Sequence, residues 1–176
     1  MRIAGLVQDS IVDGPGFRFV VFAQGCSHHC EGCHNPDTWD LSGGRETTVD
    51  GLIAEMLSNP LTDGLTLSGG EPFLQAAECA KLANVAHENK LSVWAYTGFT
   101  FEELCHKAQC EPDVGDLLQQ TDVLVDGPFR LAERTLSLKW RGSKNQRVID
   151  VKKSLIAGET VPMDDNAECG MQNAEL

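Results

Sequence analysis

Short runs of β-branched and aromatic residues alternate along the chain with segments whose apolar positions recur at helical spacing. Residues 17–24, Phe-Arg-Phe-Val-Val-Phe-Ala-Gln, follow Gly14-Pro15-Gly16 and predict a buried strand entered through a tight turn. Residues 49–57 place Val49, Leu52, Ile53, Met56 and Leu57 on one helical face, and Asn59-Pro60 ends that helix. A short strand is expected at 65–68, then a helix over 75–89 with Ala76, Cys79, Ala80, Leu82, Ala83 and Ala86 on its apolar side. Strands at 91–96, 121–125 and 147–151 and helices at 101–109 and 114–119 complete the pattern. The order is βαβαβαβ in outline, with crossovers long enough for a parallel sheet, so the fold class is α/β. At 176 residues the chain makes one domain. It is shorter than the roughly 250 residues of a complete eightfold barrel, so an incomplete barrel or an open sheet fits.

Polar and glycine-rich segments fall where the predicted strands end: the loop from Gly25 to His34, Gly69-Gly70-Glu71-Pro72, Thr97-Gly98, and Asp126-Gly127-Pro128. In parallel β/α folds ligands sit outside the carboxyl ends of the strands, so these four loops are expected to meet at one mouth. After Gly158 come scattered acids, Pro162 and little periodicity; residues 1–158 are read as the domain and 159–176 as an acidic tail without fixed structure.

Charge narrows the function classes. A net charge of −12 argues against nucleic acid or an anionic membrane as the main partner. The distribution is uneven, since residues 139–153 hold Lys139, Arg141, Lys144, Arg147, Lys152 and Lys153, six of the fourteen cations. A solvated face and a docking patch both fit that stretch. The N-terminus has no basic segment followed by an apolar run, and eighteen apolar residues never occur together, which predicts a soluble cytoplasmic protein with no membrane contact.

The candidate chemistry lies in Cys26, Cys30 and Cys33, spaced Cys-x-x-x-Cys-x-x-Cys directly after the first predicted strand. Seven cysteines is an odd count, and three within eight positions would strain the loop if bridged to one another, so metal ligation is favoured over disulfides. Three thiolates on one loop can hold three irons of a 4Fe-4S cube and leave the fourth iron without a protein ligand. The alternative is structural zinc, with His28, His29 or His34 as a fourth ligand. Only Cys30 and Cys33 form a Cys-x-x-Cys and no second pair exists, so the spacing favours iron-sulfur. Cys79 reads as a core residue. Cys105, Cys110 and Cys169 have no evident role.

The cysteine spacing followed by Ser68-Gly69-Gly70-Glu71-Pro72 resembles the radical S-adenosylmethionine superfamily, and Asp13-Gly14-Pro15-Gly16-Phe17-Arg18 resembles the activating enzymes of glycyl radical enzymes. Within that group, Cys33-His34-Asn35-Pro36-Asp37-Thr38-Trp39, Tyr96-Thr97-Gly98-Phe99, Leu124-Val125-Asp126-Gly127-Pro128-Phe129 and the segment from Trp140 to Arg147 are similar to activating proteins of anaerobic (class III) ribonucleotide reductases. The likeness runs from Asp9 to about Leu155.

That resemblance implies a partial (β/α)6 barrel of the radical S-adenosylmethionine type. It implies Cys26, Cys30 and Cys33 as iron ligands, with S-adenosylmethionine chelated on the open iron and split to a 5′-deoxyadenosyl radical that takes a hydrogen atom from a glycine of the reductase large subunit. Gly32 and His34, beside Cys33, are expected against the nucleotide. Gly69 and Gly70 would let backbone approach the methionine moiety, Glu71 would meet its ammonium or fix the loop, and Asp126 would accept hydrogen bonds from the cofactor. Thr97 is a further candidate contact, and Asn145 and Arg147 could touch cofactor or partner. Some relatives carry a lysine where this chain has Pro128, which leaves the cofactor carboxylate to Arg141 or Arg147. No cysteine-rich insertion precedes Gly69, so an external electron donor such as flavodoxin or ferredoxin is implied. The rival readings are activation of another glycyl radical enzyme such as pyruvate formate-lyase, and a non-catalytic metal-binding or electron-transfer module.

Overall fold

The structure, a computed structural model, describes residues 1–163. Seven strands form one mixed sheet in the order β3-β1-β2-β4-β5-β6-β7. They are β1 (Arg2–Ser10), β2 (Arg18–Ala23), β3 (Arg45–Glu46), β4 (Gly64–Gly69), β5 (Ser92–Tyr96), β6 (Val123–Asp126) and β7 (Arg147–Asp150). The helices are α1 (Val49–Ser58), α2 (Ala76–Glu88), α3 (Phe101–Lys107), α4 (Pro112–Gln120) and α5 (Val151–Ala157).

β2, β4, β5 and β6 are parallel neighbours, and the connections between them carry α1, then α2, then α3 and α4. This is the predicted βαβαβαβ run, with each helix begun by local chemistry. Thr48 caps α1 by accepting from the Gly51 N–H at 3.1 Å, Thr100 and Glu103 form a capping box on α3, and Pro112 opens α4. One face of the sheet packs Phe19, Val21, Leu65, Leu67, Val93, Ala95 and Leu124 against the helices. Cys79 lies in that core as expected, and burial pushes its thiol pKa up to about 12. On the opposite face Trp94, Val123 and Val125 are covered by Trp140, Val148 and Met163.

The α/β class holds. The sheet is not closed, and among the described residues it holds four parallel strands, where the likeness implies about six β/α units. The final strand does not extend the parallel run: β7 pairs antiparallel with β6, Asp126 opposite Arg147, because residues 127–146 return as a loop with one short 3-10 turn and no crossover helix. β1 and β3, absent from the pattern reading, add an antiparallel edge on the other side. Beyond α5, the expected tail is described only to Met163, and this part runs along β7, where Asp150 N–H donates to Val161 O at 3.0 Å and Met163 N–H to Val148 O at 2.9 Å. The rest of that tail, with Cys169, lies outside the described residues. Among the described residues no helix is long and apolar enough to cross a membrane.

Candidate iron-sulfur and cofactor site

The cysteine loop leaves the carboxyl end of β2 and is pinned at its base. Gly25 N–H donates to Thr38 O at 2.8 Å and Cys26 N–H to Trp39 O at 3.2 Å, so the returning chain closes the loop. The buried Gln24 amide donates to the carbonyls of Asp37 and Asp40 at 3.1 and 2.7 Å. On the arc between, Cys26, Cys30 and Cys33 are each half-buried. His29 takes a left-handed φ of 46°, rare for a residue with a Cβ, and its ring meets Trp39 edge-on at 5.0 Å.

Backbone groups are aimed at the sulfurs. Asn35 N–H donates to Cys33 Sγ at 3.3 Å, His28 and His29 backbone bonds lower the Cys26 thiol pKa, and a Phe129 backbone bond does so at Cys30. Even so, both thiol pKa values are raised, first by burial; the charges of Glu71 and of a neighbouring cysteine add to it. Bare thiolates at Cys26 and Cys30 are therefore unfavourable, and bound iron with N–H donors to the sulfurs would reverse that balance. Among the described residues no three His, Cys, Asp or Glu side chains converge on a single metal-ion position. The ligands of a cube bind different irons and need no such common point.

The loop after β4 locks into the root of the cysteine loop. Gly70 N–H donates to Ala23 O and Glu71 N–H to Gly25 O, both at 2.8 Å. Two backbones approach so closely here that a Cβ on Gly69, whose φ is 94°, would lie 2.7 Å from Phe22 Cα, and one on Gly70 would strike the Gly25 carbonyl. The glycine pair thus has a structural reason in the contact between strands.

Glu71 has no exposed surface and gathers four donors. Its Oε1 accepts from Phe73 N–H at 3.1 Å; Oε2 accepts from Gly98 N–H and His28 Nε2–H, both at 2.9 Å; Thr97 Oγ1 reaches both oxygens. His28 also stacks edge-on against Phe99 at 4.5 Å and occupies the space a Cβ on Gly98 would take. One carboxylate therefore ties together the cysteine loop and the loops after β4 and β5.

At the end of β6, Asp126 is 1% exposed and accepts from Phe101 N–H at 2.8 Å, at the start of α3. Arg147 spans both oxygens of Asp126 and both of Glu102, the latter at 3.0 and 2.7 Å. These two carboxylates raise the Arg147 pKa, and Arg147 in turn lowers that of Glu102. Arg147 is thus committed to internal partners, whereas Arg141 keeps a buried Nε without one among the described residues. Asn145 donates to Pro128 O at 2.8 Å. Exposed His34 lies 4.8 Å from the Phe129 ring, and Gly142 abuts both.

A family profile for a 4Fe-4S single cluster domain matches residues 12–149, from the turn before β2 into β7. The anaerobic ribonucleoside-triphosphate reductase-activating protein of Vibrio cholerae is 39% identical over 144 residues, covering 77% of this chain and 89% of its own. The chain belongs to this family of activating proteins. The protein of the same name from Enterobacteria phage T4 is 37% identical over 146 residues, 78% of this chain and 86% of its own. The pyruvate formate-lyase-activating enzyme of Clostridium pasteurianum is 48% identical, but over 79 residues, 42% of this chain and 33% of that one.

The family resemblance read from the sequence is thereby borne out, and the 4Fe-4S domain displaces the zinc reading. In this activating-protein architecture Gly32, Cys33 and His34 share one arc with Cys26 and Cys30; Gly69, Gly70 and Glu71 lie at its root; Thr97 joins them through Glu71. Asp126 stands one step away, linked by Gly127 N–H donating to Phe99 O at 2.9 Å. Sequence reasoning did not find the bracket made by His28, nor the return of residues 129–142 against the cysteine loop. For His28 a signal existed: Gly98, without a Cβ, marks where another group must fit.

Proposed function

We propose that Cys26, Cys30 and Cys33 ligate three irons of a 4Fe-4S cluster, that S-adenosylmethionine occupies the fourth, and that the chain generates a glycyl radical on the large subunit of the anaerobic ribonucleotide reductase. The observation that carries this reading is the loop itself: three half-buried cysteines with backbone donors directed at their sulfurs, at the carboxyl ends of parallel strands, in a chain matched by a 4Fe-4S family. When bound, the cluster and S-adenosylmethionine would supply one-electron reductive cleavage to methionine and a hydrogen-abstracting 5′-deoxyadenosyl group.

The chain's residues bind, orient and exclude water. Gln24 and the 38–39 return fix the base of the loop, so the sulfurs are held before any cluster arrives. Glu71, saturated by internal donors, acts in this reading by fixing three loops rather than by meeting the methionine ammonium. Gly69 and Gly70, without Cβ atoms, would let the methionine moiety come close to the backbone. Gly32 and His34, on the exposed side of the arc, would meet the nucleotide, with Thr97 and Asp126 ordering the neighbouring strand ends. Arg141, with its unpartnered Nε, suits a cofactor carboxylate better than the committed Arg147. The strands β2, β4, β5 and β6 correspond in this reading to units of a partial radical S-adenosylmethionine barrel. A cytoplasmic flavodoxin or ferredoxin would supply the electron.

Anaerobic reconstitution tests the proposal. The protein should take up about four irons and four sulfides, the stoichiometry of one cube. After dithionite reduction it should release 5′-deoxyadenosine from S-adenosylmethionine, and with the reductase it should yield a glycyl radical doublet in electron paramagnetic resonance. Bound zinc with no deoxyadenosine overturns the proposal. A doublet on pyruvate formate-lyase alone, the reading favoured by the partial relative, keeps the chemistry and replaces the partner.

A further inference from the structure

We propose that the hairpin formed by residues 130–144 is the docking surface for an acidic, apolar-socketed face of the glycyl radical protein; this rests on the function proposed above. The segment is ordered by its own bonds. Thr135 N–H donates to Gly142 O at 3.0 Å, Lys144 N–H donates to Glu133 O at 2.9 Å, and Arg134 bridges Ser143. It carries Arg130, Arg134, Lys139, Arg141 and Lys144 against one carboxylate, Glu133, within a chain of net charge −12. Glu133 is already paired with Arg130 at 3.0 Å, so exposed Arg134, Lys139 and Lys144 have no carboxylate partner among the described residues. Leu136, between Arg134 and Lys139 in sequence, is 88% exposed. An exposed apolar residue on a segment carrying arginines without carboxylate partners among the described residues has features of an interface, where arginine is enriched. An acidic partner is repelled by the rest of this surface and drawn here, which fixes one orientation.

Position selects the partner. The hairpin rims the cysteine loop: the Phe129 backbone reaches Cys30, Leu131 packs on Gly32, and Gly142 touches His34. Its far side lays Trp140 edge-on over Trp94 at 4.8 Å, on the sheet face opposite the helices. A protein that presents a glycine must bring backbone into contact with the cofactor and so must rest on the rim. An electron donor needs only to come within tunnelling range and is not tied to this rim.

The test uses the reconstituted full chain and the intact reductase. Three quantities are read: the dissociation constant of their complex, partner-free deoxyadenosine formation with dithionite, and glycyl radical yield with dithionite or with reduced flavodoxin. The double variant Arg134→Glu/Lys144→Glu should weaken the complex at least about tenfold, as expected for reversal of rim charges, and Leu136→Ser by several-fold. Lys81→Glu, the same reversal at one exposed α2 position and so half the net change of the double variant, should leave affinity within about twofold. Wild-type affinity should fall with added salt. Partner-free deoxyadenosine formation should be unchanged in all variants. Undiminished affinity in both hairpin variants overturns the proposal, as does a defect confined to flavodoxin-driven turnover. If the double variant does not fold, Leu136→Ser and the salt series decide. Absence of deoxyadenosine in the wild type would sink the chemistry, while the affinity measurements would still judge the docking surface.

Discussion

The two ends of the parallel strands both carry carboxylates, and they use them in opposite ways. At the carboxyl ends Glu71 and Asp126 are withdrawn from solvent and surrounded by donors from three loops and a helix start. At the amino ends Asp122 stays partly exposed and accepts from His87 Nε2 at 3.0 Å, from Val93 N–H at 2.7 Å and from Lys152. The first arrangement holds irregular backbone rigid beside the cysteines, where a loose loop would lose the cluster. The second fastens α2, β5 and α5 together with groups that water can reach. A buried carboxylate left without one donor costs more than an exposed pair is worth, so disruption of the two ends should differ in kind as well as in size.

The sharpest contrast comes from the cysteines. Cys30→Ala should leave the fold intact and abolish both the brown chromophore and deoxyadenosine formation, whereas Cys110→Ala, at an exposed position on the helical side, should change neither. Retained activity in Cys30→Ala would break the ligand assignment. Next in size is Glu71→Ala, which strands the Phe73 and Gly98 N–H groups, Thr97 and His28 at once. A loss of roughly 3–5 kcal/mol in chemical denaturation is expected, with poorer cluster retention. Asp122→Ala should cost only about 1–2 kcal/mol, because water replaces part of what is lost. Equal losses at the two sites would remove the distinction between the ends.

Arg147 tests whether Asp126 depends on its partner. Arg147→Met keeps much of the stem and leaves Asp126 buried against Phe101 N–H alone, so destabilisation of about 2 kcal/mol is expected after allowing for the partial exposure of the arginine. The double variant Arg147→Met/Asp126→Asn should recover part of that loss, as a double-mutant cycle would show. No recovery would mean that the arginine acts through Glu102 instead.

Much of this was legible in the chain. The four parallel strands and their helices follow from apolar periodicity, and the site follows from glycine and cysteine segments placed at strand ends. β1 escaped notice because Gly5 and two register irregularities break its alternation and much of it stays exposed. The direction of β7 escaped because periodicity marks a strand without saying which way it runs; the lack of a helical pattern between Pro128 and Gln146 was the available sign. At the site, residue types and order gave the location but not the facing. Glu71 and Asp126 look alike as polar residues after a strand, and only the folded loops reveal that their oxygens are turned inward toward His28, Thr97, Phe101 and Arg147.

The smallest effect lies at the amino ends and is read by pH. Both ring nitrogens of His87 face acceptors, Gln120 Oε1 and Asp122 Oδ2, each at 3.0 Å, an arrangement that suits the doubly protonated ring. The hydrogen bond and charge of Asp122 raise the His87 pKa above its usual 6.5 against partial burial, with Lys152 opposing. A raised histidine stabilises the fold fully below 6.5 and loses that contribution as pH climbs through the folded value. Asp122 runs the other way: its pKa is lowered from 3.8 to about 2 by His87, Lys152 and Val93 N–H, outweighing burial, so its contribution is complete above 3.8 and lost as pH falls through about 2. Both contributions are present together only between those limits, and on the alkaline side stability should decline by less than about 1 kcal/mol for a partly exposed pair. His87→Gln should flatten that alkaline decline in urea titrations while leaving deoxyadenosine formation at the far end of the sheet untouched. An unchanged slope would show that the histidine is not the group that titrates.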